Sequence, residues 1–163
     1  MASTHLYRDY VVSAQVALNS TGDKFTFTPG GPVNIVRWGV IADALIDVGA
    51  GAVFTLDYRP TAGSDTGRVN GSTSAGDDTA GGSLSTGTTD VAAGKGIYRE
   101  VNQVPGPFKL APGEQAVFEV TDAADTAGTG FVFIEYEVEG FTGDPALTTL
   151  AQNRIVNMTK KAS

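Results

Sequence analysis

The chain has no cysteine and a single histidine, His5, and these two shortages exclude most side-chain chemistry. Without cysteine there is no disulfide, no thiol nucleophile and no cysteine-ligated zinc. A Ser/His/Asp triad or a histidine base would have to use His5, and a terminal segment is a poor place to hold a base at catalytic distance. We therefore expect a protein that is not an enzyme and that needs no cofactor and no metal.

Basic residues are also scarce, with 11 Lys and Arg against 18 Asp and Glu and a net charge of −7. Because such a surface does not displace counterions from phosphates, nucleic acid is not an expected partner. No stretch approaches the ~18 consecutive apolar residues of a membrane span, so a membrane is not expected either. The N-terminal sequence lacks a basic region followed by an apolar one, and we expect no secretory signal peptide.

What the sequence does contain is apolar and polar residues alternating at every second position. Turn signals such as Pro112-Gly113 separate seven or eight such segments of 5–10 residues. The pattern predicts an all-β fold, a β-sandwich or jelly roll, in a single domain over residues 1–163. In the first strand Ser13 and Gln15 point away from five residues that share the other face: Tyr10, Val12, Ala14, Val16 and Leu18.

Three segments depart from this pattern. The first is an N-terminal arm at residues 1–9, and the second is an excursion at residues 61–96 that contains nine glycines and one plausible short strand near residues 83–86. The third, residues 144–163, is either an extended arm or a short helix from Pro145 to Met158. The excursion has too little apolar surface to offset its ordering entropy, so we expect neighbouring molecules to hold it.

Two groups of residues could carry binding chemistry. Trp38 alternates with valines, which favours a core position over a role in sugar stacking, and most other aromatic residues also fall at inward positions. We therefore expect no exposed aromatic stripe. Glu135, Glu137 and Glu139 share one face of a strand, where a solvated face paired with Lys or Arg is favoured over a calcium site.

Strand and turn motifs occur in a characteristic order between about residues 34 and 140: Ile35–Ala44, Leu56–Pro60, Gly63–Arg68, Gly94–Arg99, Leu110–Gln115 and Phe118–Thr121. This order resembles small virion structural proteins of tailed bacteriophages and prophages, of the capsid decoration (cement) type. The resemblance implies a non-enzymatic β-rich protein, commonly a homotrimer, on the capsid surface of a virion assembled in the bacterial cytoplasm. Its implied partners are the major capsid protein and further copies of itself, and it brings no catalytic or ligand-binding residues with it.

The contact residues have to be chosen from the sequence itself. Aromatic and arginine side chains are enriched at protein interfaces, and the excursion and the two terminal segments are the expected contact regions. This reasoning selects five residues: His5, Tyr7, Arg59, Arg68 and Arg154. Two alternatives remain open, namely a tail- or neck-associated virion protein and a carbohydrate-binding β-sandwich module.

Overall fold

The protein is described by a computed structural model over residues 7–47, 49, 51–59, 81–101, 108–124 and 127–138. All regular secondary structure in these ranges is β-strand, and the strands are rich in the β-branched and aromatic residues that favour a pleated, half-buried surface. The nine strands are β1 Tyr7–Ala17, β2 Gly22–Phe27, β3 Val33–Ala42, β4 Val53–Arg59, β5 Ser83–Ser85, β6 Gly96–Glu100, β7 Phe108–Leu110, β8 Gln115–Asp122 and β9 Thr129–Val138.

The strands form two antiparallel sheets that pack against each other. Sheet A has the order β1-β9-β3-β6, with β7 also paired to β3, and sheet B has the order β2-β8-β4-β5. The first four strands pair with the later ones in reverse order: β1 with β9, β2 with β8, β3 with β7 and β6, and β4 with β5. The chain therefore forms one long hairpin that is wound across both sheets, which is a jelly-roll connectivity. In that hairpin β7 and β6 are two parts of one strand, since they pair with successive halves of β3. The prediction of an all-β sandwich is confirmed.

The core lies between the sheets and is centred on three aromatic residues. Trp38 of sheet A meets Phe118 of sheet B edge to face, with 5.8 Å between ring centroids, and Phe118 meets Phe54 at 5.6 Å. All three side chains are completely buried. Such aromatic pairs stabilise a core beyond the area they remove from water. The predicted core position of Trp38 is confirmed.

A β-bulge in β1 overturns the predicted face of the first strand. The register against β9 shifts between Val12 and Gln15, so that residues on either side of the bulge no longer follow one alternation. Tyr10 is 69% exposed, whereas Leu18 is completely buried. The prediction that these residues share one face is therefore wrong, and Ser13, predicted to point away, is buried.

The predicted turn before β8 has the expected form. Gly113 has a φ of +86°, a value that favours glycine at the second corner of the turn. The backbone N–H of Glu114 donates to Ala111 O at 3.1 Å, and the Glu114 carboxylate accepts from the Ala111 N–H at 2.7 Å. The same carboxylate accepts from the Tyr58 hydroxyl at 2.6 Å, which ties the turn to sheet B.

The segments predicted to depart from the domain are described in part. Residues 81–96 of the excursion carry β5, as expected near residues 83–86, and Gly81 is fixed to the core because its carbonyl accepts from Trp38 Nε1 at 2.8 Å. Tyr7–Asp9, predicted as part of the N-terminal arm, form the start of β1. Residues 1–6, 60–80 and 139–163, including the predicted C-terminal arm or helix, lie outside the described residues.

Candidate protein-binding face

The outer face of sheet A, which is turned away from sheet B, carries apolar side chains across its four main strands. The register aligns Val12 with Phe133, Phe133 with Gly39, and Gly39 with Tyr98 in one row, and the next row aligns Phe131 with Ile41. We call the following six residues the apolar patch: Tyr10, Val12, Ile41, Tyr98, Phe131 and Phe133. Val12 and Ile41 are 45% and 41% exposed, Tyr98 is 56% exposed, and the two phenylalanines are half-buried.

Gly39 lies in the middle of this row because the neighbouring strand leaves no room for a side chain. A Cβ atom at position 39 would lie 2.7 Å from Tyr98 Cα and 2.8 Å from Tyr98 Cβ, closer than real Cβ contacts. The Arg37 guanidinium carbon lies 5.2 Å from the centroid of the Tyr98 ring, within the range of a cation–π contact. Tyr98 is therefore held over the sheet by its neighbours on β3.

Ion pairs lie beside the apolar patch. Arg8 donates to Glu137 at 2.8 Å, and Arg37 donates to Glu135 at 2.6 Å. The hydrogen bond and the charge of Glu137 raise the pKa of Arg8 above its ordinary value. The predicted pairing of the acidic row with basic residues is confirmed for Glu135 and Glu137, and Glu139 lies outside the described residues.

The charges on this face balance. Three cations and three anions occupy the outward strand positions of sheet A: Arg8, Arg37, Lys109, Glu100, Glu135 and Glu137. The charges at these strand positions therefore sum to zero, and Asp43, which accepts a hydrogen bond from Gln15, adds one negative charge to this face, whereas the whole chain carries −7. These charges lie in two adjacent rows at one end of the apolar patch. Apolar side chains next to polar ones of mixed charge are typical of protein–protein interfaces.

A groove of about 450 Å³ runs beside Tyr98, where the edge strands β5 and β6 come together. Its lining combines apolar side chains with polar and charged ones: Leu84, Ser85, Thr86, Thr89, Asp90, Val91, Lys95, Ile97 and Tyr98. The volume lies within the range of small-ligand sites, about 300–1,000 Å³. Tyr98 thus belongs both to the apolar patch and to the wall of this groove.

The outer face of sheet B has a different character. Arg59 on β4 reaches across β8 to Asp23 on β2 and makes a bidentate ion pair, with contacts of 2.5 and 2.9 Å. Thr26 and Thr121 are exposed on the neighbouring strands. This face also holds Val117, Thr55 and Asp57, which are buried. It therefore carries mostly polar side chains and no exposed aromatic ring among the described residues.

The five residues selected from the sequence are not brought together by the described part of the chain. Arg59 makes the ion pair just described, and Tyr7 begins β1 opposite Val138. The other three, His5, Arg68 and Arg154, lie outside the described residues.

The apolar patch was missed, and the expectation that no aromatic stripe is exposed is wrong for Tyr10 and Tyr98. A signal was available: β3 and the run Phe131–Ile134 are apolar at consecutive positions, so one apolar side chain of each pair has to point away from the core.

Comparison with protein-family models and with curated proteins found no match to this chain. Among the described residues, no cluster of three or more His, Asp or Glu side chains is placed to hold a metal ion. The same part of the chain contains no helix that is long and apolar enough to cross a membrane. The candidate site is therefore defined by its surface composition and geometry.

Proposed function

We propose that the protein is a non-enzymatic virion structural protein that binds the outer surface of a tailed-phage capsid and clamps neighbouring coat subunits. The observation that carries this proposal is the apolar patch on the outer face of sheet A, with paired charges of both signs at one end of it. The placement in a virion and the major capsid protein as partner come from the sequence resemblance. The geometry adds the surface by which the protein would make its contacts.

The patch suits such contacts for two physical reasons. Tyrosine and phenylalanine side chains contribute large areas at small entropic cost, and residues that dominate binding energy cluster at the centre of interfaces inside a polar rim. A sheet whose inner side is packed against a core also holds these side chains in place before binding, which lowers the ordering cost. Individually weak contacts that are repeated over a symmetric shell reinforce one another through effective concentration.

The test is cosedimentation of the purified chain with capsids that lack it. Ile41→Glu places a charge in the apolar patch, and we expect it to weaken capsid binding by about tenfold or more. Thr26→Glu is the matched control, because it introduces the same charge at an exposed strand position on sheet B. Equal binding by both variants would contradict the proposal. Saturation at a few copies per particle, instead of hundreds, would place the protein on the tail or neck.

A second candidate function, carbohydrate binding, is favoured by the groove beside Tyr98. An exposed tyrosine ring next to hydroxyl, carboxylate and ammonium groups combines a stacking surface with hydrogen-bonding groups. Trp38 is buried, so this hypothesis now rests on Tyr98. Binding to a glycan array that is lost in Tyr98→Ala and retained in Thr26→Glu would support carbohydrate binding. An array without signal would leave the capsid proposal as the stronger one.

A further inference from the structure

We infer that strand β6 accepts an extended segment of a protein partner as an additional strand, so that sheet A continues across the groove beside Tyr98. The inference rests on the proposed protein-binding function and gives the same partner a second contact, made by backbone groups next to the apolar patch. The occupant is a polypeptide in strand conformation. A carbohydrate in the groove is the competing outcome of the test.

The backbone of β6 has hydrogen-bonding groups that are directed away from β3. The Ala42 N–H donates to Lys95 O at 2.8 Å, so the backbone groups of Lys95 and of every second residue after it face β3. The N–H and C=O groups of Gly96 and Tyr98 therefore point to the opposite side, where the groove lies. Within the described ranges, no backbone group is hydrogen-bonded to these two residues on that side.

Among the described edge strands, β6 is the long and regular one. Edge strands are commonly kept from pairing with other chains by bulges or by short length. β1 and β2 each contain a register shift, and β5 and β7 have three residues each. β6 keeps one register against β3 over its five residues, from Gly96 to Glu100. Its outward backbone groups are therefore spaced as a template for a further strand.

The groove next to β6 provides places for the side chains of such a segment. Leu84 and Ile97 are half-buried and pack against the core, so they form an apolar floor. A residue of the added strand opposite Ile97 would direct its side chain onto this floor, and the next residue, opposite Tyr98, would point outwards beside the tyrosine ring. We therefore expect a segment with an apolar residue inwards and a β-branched or aromatic residue outwards.

Arg99 limits the length of the segment. Its guanidinium reaches from β6 to sheet B, where Nη1 donates to Ser83 O at 2.8 Å, and it leaves no room for a side chain at Gly82. The open part of the edge therefore runs from Gly96 to Tyr98, about 10 Å at roughly 3.3 Å per residue. A contact of this length is weak alone, and it strengthens the contact of the apolar patch when both engage the same partner.

The spacing of the backbone groups favours a polypeptide over a sugar. Donors and acceptors on the free side of β6 recur every second residue, about 6.8 Å apart, and an added strand has the same repeat. Main-chain hydrogen bonds to a sheet edge give such segments their affinity, and pockets for alternate side chains give specificity. Carbohydrate binding, in contrast, requires the Tyr98 ring and not the N–H of Gly96, so the two occupants respond to different substitutions.

The experiment compares Gly96→Pro with Gly96→Ala in cosedimentation with capsids that lack the protein. Proline removes the outward N–H and is tolerated at the first residue of an edge strand. Alanine adds a Cβ but keeps the N–H, and this Cβ would lie 3.6 Å from Val40 O, an ordinary contact. We expect Gly96→Pro to bind about tenfold more weakly than Gly96→Ala, because a carbonyl of the partner loses its donor. Melting curves establish that both variants are folded.

Amide hydrogen exchange of the parent chain is the second measurement, and it needs no variant. In the free chain the N–H groups of Gly96 and Tyr98 should exchange faster than those of Ile97 and Arg99, which face β3. Capsid binding should slow exchange at Gly96 and Tyr98 by about tenfold or more, since each N–H then donates to the added strand. A contact made by side chains alone would leave the difference between the two pairs unchanged.

Three results would overturn the inference. The first is equal capsid binding by folded Gly96→Pro and Gly96→Ala, or exchange at Gly96 and Tyr98 that capsids do not slow. The second is slow exchange at both amides in the free chain, which would show that β6 is already paired. The third is glycan binding that is lost in Tyr98→Ala and retained in Gly96→Pro, which would assign the groove to a carbohydrate.

A displayed library of random peptides separates this inference from the proposed function. Peptides that bind Gly96→Ala but not Gly96→Pro, together with no binding to capsids, refute the capsid proposal alone. Capsid binding that is lost in Ile41→Glu but equal in the two Gly96 variants refutes the added strand alone. If neither capsids nor peptides bind, both are refuted.

Discussion

Replacement of Ser13 by alanine should destabilise the protein far more than an ordinary strand serine would. The Ser13 hydroxyl lies at the β1 bulge, where it accepts a hydrogen bond from the Val132 N–H at 2.9 Å and donates one to Ala14 O at 2.6 Å. At the bulge the Val132 N–H on β9 has no backbone carbonyl of β1 as its acceptor, and the Ser13 hydroxyl oxygen accepts its hydrogen bond instead. Ser13 is only 8% exposed, and Val132 is completely buried, so water cannot replace the lost acceptor.

The magnitude follows from the donor that is left without a partner. An unsatisfied buried N–H costs about 1–3 kcal/mol, whereas the small volume of one oxygen atom leaves almost no cavity. We therefore expect Ser13→Ala to lower the free energy of unfolding by about 2 kcal/mol. For a chain of 150–250 residues each kcal/mol corresponds to about 2–4 °C, so Tm should fall by about 4–8 °C.

Urea unfolding monitored by tryptophan fluorescence measures this loss, because the single tryptophan, Trp38, is in the core. Ser83→Ala is the control: Ser83 is an exposed strand serine on β5, and its replacement should change stability by less than about 0.5 kcal/mol. Ser13→Thr retains the hydroxyl and should recover part of the loss. A Ser13→Ala variant as stable as the control, with an unchanged m value, would refute the role assigned to the hydroxyl.

Three further predictions concern the two faces of sheet A and the centre of the core. In urea unfolding, Val11→Ala should lower the free energy of unfolding by about 1 kcal/mol, because Val11 packs against the core. Val12→Ala should lower it by less, because Val12 points outwards, and the reverse order would contradict the faces assigned to these two residues. Gly39→Ala should cost about 1–3 kcal/mol and speed amide exchange in β6 relative to β1, since the added Cβ displaces the backbone at Tyr98. Phe118→Ala should cost about 3–5 kcal/mol in calorimetry, and a loss below about 1 kcal/mol would contradict its central position.

Much of the fold could be predicted from alternation. Successive side chains of a strand point to opposite faces, so burial of one face places apolar residues at every second position. Trp38 was assigned to the core from its apolar neighbours two residues away on each side, and the structure confirms it. Glu135 and Glu137 were assigned to a face paired with basic residues for the same reason. Around Glu135 and Glu137 the strand is regular, so a period of two describes it. The register of β3 shifts between Ile35 and Arg37, so that Ile35 and Trp38 both lie in the core, and alternation describes β3 only from Arg37 onwards.

In the first strand, alternation does not predict correctly which side chains face the core. The residues from Tyr10 to Leu18 alternate well enough to suggest a single apolar face, but the register of β1 is set by its pairing with β9, more than 100 residues away. A single extra residue there reverses the direction of every side chain beyond it. The hydroxyl of Ser13 stabilises this irregularity through a contact with Val132, and local sequence carries no signal for a contact at that distance.

The two outer faces of the sandwich explain why a surface role follows from the fold. On sheet B the outward positions carry the Arg59–Asp23 ion pair and exposed threonines, and also Val117, Thr55 and Asp57, which are buried. On sheet A, in contrast, the adjacent strands β1, β3, β6 and β9 each direct at least one large apolar side chain outwards.

A single exposed apolar residue needs no explanation, but six on neighbouring rows of one sheet face form a continuous surface. Such a surface promotes non-specific association unless a specific partner covers it, and a net charge of −7 elsewhere keeps the chain soluble meanwhile. Because Gly39 and the Arg37–Tyr98 contact hold one side of this surface in place, its shape is specified before any partner arrives. A contiguous apolar surface with a fixed shape is suited to docking, and core packing alone would not produce it.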